Sequence, residues 1–317
     1  MHTRIIAVAM LAVSFVCTAQ PYPAKPIRII NTTSAGGPAE LTARLIGQKF
    51  TEAWGQQVVV DTRTGAAGTI GAEMVAHAAP DGYTLLLGSG SSIVIAPLVQ
   101  KTSYDPLRDF APVSMAVMAP FLLVAHPAVP AKSLPEFITA AKAKPGVYNF
   151  GSTGSGSTSH LGAEQLKMLA GIDIHHIAYK GAITAVAGMV AGEVHILFNS
   201  MATALPHVNT GRITLLATGA TARSPLIPNT PTIAETFPGF EVVTWYSIAA
   251  PPRTPRSLVM KLNGEIARAL TSPDLAARFA VMGLDPHPST PEEMAAYMKS
   301  EMEKWGKVIK AAGVKIE

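Results

Sequence analysis

The reading of this chain turns on Asn149-Phe-Gly-Ser-Thr-Gly-Ser-Gly-Ser-Thr-Ser-His-Leu-Gly162. Gly151, Gly154 and Gly156 alternate with the hydroxyl residues Ser152, Thr153, Ser155, Ser157, Thr158 and Ser159, and Leu161, Leu166, Met168 and Leu169 follow as an apolar periodic run. The pattern predicts a strand, a glycine loop and a helix start. Glycine lets backbone approach a ligand closely. Serine and threonine cap helix starts, and the open N–H groups there attract anions. The stretch is therefore expected to cradle an anion. A Walker A loop is excluded, because Ser157 stands where that motif needs lysine. The dinucleotide fingerprint is excluded as well, since no third glycine follows Gly154-Ser-Gly156. An uncharged, hydroxyl-rich cradle suits a carboxylate better than a polyphosphate. On spacing alone, an ordinary surface loop of turn residues stays open as the alternative.

The same grammar recurs upstream. Lys25 to Ile30 reads as a first strand, Asn31-Thr-Thr-Ser-Ala-Gly-Gly-Pro38 as a second glycine and hydroxyl loop, and Ala39 to Trp54 as a helix with Leu41, Leu45, Ile46 and Phe50 on one face. Gln57 to Asp61 is a strand, Arg63 to Gly68 a glycine turn leading into a helix through Ala76, and Tyr83 to Leu87 a strand. Gly88-Ser-Gly-Ser-Ser92 is a further small polar loop. Phe110 to Ser114 and Pro120 to Ala125 read as two strands around a crossover. Ser133 caps a helix from Leu134 to Ala143, with Glu136 at the capping-box position. Strands are expected at 175–178, 194–198 and 214–217, with a return crossover at 242–249 and helices at 183–191, 258–270, 273–282 and 291–312. Alternating strands and helices predict an α/β protein with mostly parallel sheets. In such sheets ligands bind beyond the carboxyl ends of the strands, which is where both glycine loops fall.

The chain has 317 residues, enough for two ordinary domains. Charged residues are 15% and aromatics 6%, and the net charge of +4 has no clustered basic run behind it, so a nucleic-acid surface is excluded. Arg4 followed by the apolar Ile5 to Val16 reads as a secretory signal, cleaved after Ala19. The single cysteine, Cys17, lies inside it; Val16 before it makes a poor lipidation site. The mature chain then has no thiol, disulfide or cysteine metal site. No cofactor motif is found. His175 and His176, with His195 and His207, are weighed as a zinc set against solvated or hydrogen-bonded histidines, and the second reading is preferred because no metal-ligand spacing is present. A secreted serine hydrolase using Ser152, Ser155 or Ser157 with His160 is the alternative function. No nucleophile-elbow pattern supports it. Lys180 reads equally as a partner for a second carboxylate or as a solvated charge, and Trp245 equally as a pocket wall or hinge-side core.

These residues resemble the Bug/TctC family of periplasmic solute-binding proteins from about Tyr22 onward. The resemblance is carried by Ala35-Gly-Gly with Glu40 and Ala43-Arg44-Leu45; Ala78-Ala-Pro-Asp-Gly-Tyr-Thr-Leu-Leu86; Tyr104-Asp-Pro-Leu-Arg-Asp-Phe-Ala-Pro-Val113; Gly154 to Leu161; Tyr179-Lys-Gly181; Ala204-Leu-Pro-His207; and Arg223-Ser with Pro231-Thr. It implies a two-domain, type II-like Venus-flytrap fold. Residues 1–19 would be the signal, 20–120 with 245–317 domain 1, and 121–244 domain 2. It further implies a monomeric periplasmic receptor that captures a small carboxylate, without a cofactor, for a tripartite tricarboxylate-type transporter's membrane subunits or a sensor kinase. The ligand would lie in the cleft between domains. Thr33, Ser34, Ala35, Gly36 and Gly37 would line one side, with Ser89 and Ser91 beside them. Ser152, Thr153, Gly154, Ser155, Gly156, Ser157, Thr158 and His160 would line the other. Tyr179, Lys180, Asn199 and Trp245 complete the expected site.

Two departures from the family pattern bear on the ligand. Thr32-Thr33-Ser34 replaces the usual aromatic-containing start of the first loop, and that loop ends in Glu40 rather than aspartate. Asn199 stands where many members have aspartate, so a cationic amine is expected to lose a charge-assisted partner. An amino-acid ligand is then disfavoured relative to a plain di- or hydroxycarboxylate.

Overall fold

The computed structural model describes residues 22–224 and 227–314. The expected signal at 1–19 lies outside the described residues. The chain opens with β1 (Ile27–Asn31), α1 (Pro38–Trp54), β2 (Val58–Thr62), α2 (Thr69–Ala76) and β3 (Thr84–Ser89). β1 lies between β2 and β3 and runs parallel to both. Ile29 and Ile30 point to opposite faces and both are fully buried, because helices cover the sheet on each side. The chain after β3 does not stay a loop: Ser91–Ile95 winds as a π-turn that runs on into α3 (Ala96–Val99). Ser92, Ile93, Val94 and Ile95 are buried there.

β4 (Ala111–Ala125) is one strand of 15 residues, not the two expected. Its first part, to Pro120, pairs antiparallel with β9 (Val243–Ala250). From Phe121 onward it pairs antiparallel with β7 (Ile196–Ser200) and β8 (Thr214–Thr218). Register shifts beside Pro112 and before Val117 absorb the disruption that proline brings to a ladder. Between β4 and β8 the chain forms α4 (Leu134–Ala143), β5 (Asn149–Ser152), α5 (Thr158–Ala170), β6 (His175–Ala178), α6 (Ala182–Ala191), β7 and α7 (Met201–Asn209). After β9 come α8 (Arg256–Leu270), α9 (Pro273–Val281), the short β10 (Asp285–Pro286) against β4, and α10 (Pro291–Ala312).

The sheet order is β2-β1-β3-β9-β4-β7-β5-β6, with β8 and β10 added on β4. Strands that end in the glycine loops are parallel within their own half, as expected. The two crossing strands, β4 and β9, are antiparallel to each other and to their neighbours, so the sheet as a whole is mixed. Apolar alternation fixes which face of a strand is buried but not its direction, and the expectation of parallel pairing fails only at these crossings.

One apolar cluster runs through both halves, from Ile30 and Leu86 through Met115 and Phe121 to Phe150, Leu161 and Trp245. Met294, Met298 and Trp305 of α10 close it. Among the described residues, no helix is long and apolar enough to cross a membrane.

Candidate functional site

The loop after β1 is shaped from within. Asn31 donates through Nδ2 to Thr33 O at 3.0 Å and accepts from the Thr33 hydroxyl at 3.1 Å, the local bonding that asparagine brings to turns. Gly37 caps α1 without a side chain to offer. Glu40, in the first turn, fills that role: its Oε2 accepts from the Gly36 amide at 2.7 Å and its Oε1 from Arg44 Nε at 2.9 Å. The Gly36 amide first, and Arg44 second, hold its carboxyl below the ordinary range. Glu40 thus occupies the Gly36 amide from within the protein. The open donors of this loop are the amides of the exposed residues Ser34 and Ala35, which have no acceptor among the described residues.

The 153–157 loop obeys the same logic. Ser157 caps α5, its Oγ accepting from the His160 amide at 3.3 Å. Gly156 takes φ of +69°, a conformation that side chains disfavour. Ser152 Oγ accepts from the Gly154 amide at 3.1 Å, Ser159 Oγ from the Thr153 amide at 2.9 Å, and His160 Nδ1 from the Gly156 amide at 3.0 Å. Ser157 Oγ also meets Ser159 Oγ at 3.0 Å. Most of the hydroxyls expected on a ligand therefore hold the loop in shape. Ser155 is exposed, and its amide has no acceptor among the described residues.

Two further segments tie these loops together. Ser91 Oγ accepts from the Thr158 amide and lies against the Thr158 hydroxyl, both at 3.4 Å. Ser92 Oγ meets Thr32 Oγ1 at 3.0 Å and accepts from the Ser89 amide at 3.0 Å. On the other side, a β-carbon built on Gly181 would stand 3.5 Å from Ser34 Oγ, and one on Gly154 would stand 3.7 Å from Tyr179 O. The loops bearing Gly36 and Gly154 thus meet at one place, with residues 179–181 between them. The amides of Lys180 and Gly181 there also have no acceptor among the described residues.

The remaining expected residues divide. Lys180 is exposed and makes no ion pair among the described residues. Tyr179 turns its hydroxyl away, donating to Glu193 Oε2 at 2.8 Å; burial first, then Glu193, pushes its pKa up to about 12. Asn199 is fully buried: Nδ2 donates to Ala182 O at 2.9 Å, while Oδ1 accepts from the Ser200 amide at 2.8 Å and from Thr203 Oγ1 at 2.9 Å. Its amide holds β7 to the starts of α6 and α7 rather than facing a ligand. Trp245 takes the core alternative. Its indole lies against Gly90, where an added β-carbon would stand 2.9 Å from Nε1, and it donates to Glu301 Oε2 at 3.1 Å.

His160 sits behind its loop, buried, and stacks on His176. His195 bonds Asn149 instead. No group of three or more His, Cys, Asp or Glu among the described residues is placed to hold a metal. Ser152 Oγ does lie 2.6 Å from His176 Nε2, but Ser152 is fully buried and no carboxylate among the described residues orients His176, so the arrangement does not match a nucleophile with its oriented base. Glu40, Ser92 and His176 are the residues that sequence reasoning missed as parts of the site. For Glu40 the signal was present: a carboxylate three residues after Gly37, the spacing of a capping box without its hydroxyl.

The family model described as "Tripartite tricarboxylate transporter family receptor" matches residues 42–314. The Bordetella pertussis protein BugT is 34% identical over 99% of this chain and 99% of its own length. The R. palustris protein Rpa4515, solved with adipate, superposes with a TM-score of 0.86 at 32% identity, covering 93% of this chain and 99% of that one. MatC from Rhodopseudomonas palustris, with bound malate, superposes with a TM-score of 0.81 at 30% identity, covering 91% and 100%. The fold is the α/β periplasmic-binding-protein fold of these neighbours, built here on a curled mixed sheet. The chain belongs to the tripartite tricarboxylate transporter receptor family: it is a periplasmic solute-binding receptor, not an enzyme.

Proposed function

We propose that this receptor captures a small carboxylate between two lobes, residues 20–120 with 245–317 and residues 121–244, and presents it to transporter membrane subunits or to a sensor. Residues 1–19 act as the cleaved secretory signal, and the receptor works as a monomer. The observation that supports the reading is the set of backbone donors at Ser34, Ala35, Ser155, Lys180 and Gly181 that have no acceptor among the described residues, on loops that come together. Oriented amides suit an anion and need no counter-charge. Lys180, exposed and without an ion pair among the described residues, would take the second carboxylate of a diacid. No Asp or Glu lies in residues 32–37, 153–157 or 179–181, so the ammonium of an amino acid finds no carboxylate on these loops. That supports the same preference for plain acids which the sequence suggested at Asn199, on different grounds. The relatives solved with adipate and with malate lend support to the ligand class.

Closure is driven only by contacts that the ligand makes with both lobes at once. The two crossing strands supply the hinge near Pro120–Phe121 and Val243–Thr244. A thermal-shift screen with malate, succinate, adipate, citrate, benzoate, aspartate and glutamate tests the reading. A ligand at a hundredfold excess over its dissociation constant adds about 2.7 kcal/mol of stability. Stabilisation by a plain carboxylic acid is expected, with the two amino acids weaker. No shift with any acid overturns the carboxylate reading, and a larger shift with aspartate or glutamate overturns the preference.

A further inference from the structure

Two imidazoles lie face to face behind the 153–157 loop. His160, from the first turn of α5, and His176, from β6, have ring centroids 3.7 Å apart and planes within 10° of parallel. Phe150 of β5 extends the stack, 4.9 Å from His176 at 27°. Each imidazole also reaches the loop through a nitrogen. His160 Nδ1 accepts from the Gly156 amide at 3.0 Å. His176 Nε2 lies 2.6 Å from Ser152 Oγ, the hydroxyl that in turn accepts from the Gly154 amide at 3.1 Å. The amides on either side of Ser155 are therefore both anchored through this pair.

The geometry dictates the protonation of the stack. A nitrogen that accepts from an amide carries no proton, so the His160 proton sits on Nε2, which lies 3.9 Å from Glu164 Oε1. Two positive rings at this spacing repel each other, and a charged His160 has no lone pair left for Gly156. Burial lowers both groups well below the ordinary histidine range, His160 to about 3 and His176 to about 4.

We propose that His160 and His176 are positioning residues of the carboxylate site, a neutral imidazole stack that anchors Gly154 and Gly156 so that the Ser155 amide between them points outward. The assignment rests on the carboxylate reading above. It gives His160 a role behind the loop instead of in contact with the ligand, and it gives His176 a role in place of the metal site weighed from the sequence.

Four variants separate the stack from the hydrogen bonds. H176F and H160F keep an aromatic ring in the stack but remove the nitrogen that faces the loop. H176Q and H160N return a polar atom near the lost nitrogen. Malate and adipate are titrated into each variant by calorimetry. H176F and H160F are expected to weaken the tighter of the two acids by about tenfold, the loss of roughly one hydrogen bond's worth of loop order, and H176Q and H160N recover most of that loss. In the ligand-free wild type, nitrogen-15 NMR is expected to show His160 Nδ1 unprotonated and hydrogen-bonded from pH 7 down to pH 5. Wild-type affinity in both phenylalanine variants overturns the proposal, as does a proton on His160 Nδ1. If wild type binds neither acid, the carboxylate reading falls on its own, and the NMR result still decides whether the stack is neutral and bonded to the loop.

Discussion

The side chain of Asn199 is used at both ends: its Nδ2 donates to the Ala182 carbonyl and its Oδ1 accepts from Ser200 and Thr203. An aspartate can accept the second pair of bonds but cannot donate the first. At this position the carboxylate would also face the Ala182 carbonyl in a fully buried site. N199D is therefore expected to destabilise the protein by about 1–3 kcal/mol, the cost of leaving a buried acceptor without its donor. Urea denaturation monitored by circular dichroism measures it; stability equal to wild type would show that the amide is dispensable. At the same scale Gly90 is required by a neighbour and not by its own backbone. Its φ is −52°, open to any residue, but the Trp245 indole occupies the space of a side chain. Both requirements involve contacts between residues distant in sequence, and no local pattern announces them.

At the scale of elements, the loop and α5 are joined through His160, whose Nδ1 accepts from the Gly156 amide. Burial first, then His176 and Lys167, hold the His160 pKa at about 3, against 6.5 for an ordinary histidine. As the pH drops below 6.5 the unfolded chain takes up a proton that the native chain refuses, so stability falls with acid down to about pH 3. Glu40 acts in the same direction over a lower window. Its carboxyl is held below the ordinary 4.5, so the stability it contributes is present above that value and is lost as the pH falls through the lowered one. The expected outcome is a decline in stability that begins near pH 6.5, with a shallower slope in H160N between pH 6.5 and 5. Chemical denaturation across that range checks it, and parallel slopes for the two proteins would remove His160 as the source. The element scale is also where the sequence is most legible. The strand, glycine loop and helix start at Asn149 to Gly162 form as read, with Ser157 at the cap. The loop at Gly88 to Ser92 was misread because small polar residues suit turns, whereas here Ser92 is buried and bonded to Thr32 and Ser89.

For the whole molecule, α10 is the element that joins the halves. Trp305 is fully buried and donates to Glu301 Oε2 at 3.0 Å, the atom that also receives the Trp245 indole N–H at 3.1 Å. One carboxylate thus links α10 to the crossing strand β9, and the apolar cluster around it reaches Ile30 in one half and Phe150 in the other. W305A is expected to cost about 3–5 kcal/mol, the range for emptying a buried aromatic site. Because one apolar cluster runs through both halves, unfolding is expected as one transition. Far-ultraviolet circular dichroism and the fluorescence of Trp54 and Trp245 should give the same midpoint. Two separated midpoints would show that the halves unfold independently.

The chain by itself announced most of its strands and helices and the two glycine loops at strand ends, because these depend on residues adjacent along the backbone; α7 and the single long β4 were not legible there. Motif resemblance carried the family, since it compares the whole order of such local signals at once. The tertiary structure alone decided which donors stay open. Glu40, His160 and the loop serines take up the amides of Gly36, Gly156, Gly154 and Thr153, and among the described residues those of Ser34, Ala35, Ser155, Lys180 and Gly181 are left without an acceptor. It also decided the antiparallel crossings of β4 and β9 and the burial of Trp245 and Asn199. A hydrogen bond is settled by angstroms between groups far apart in sequence, and spacing along the chain carries no record of that distance.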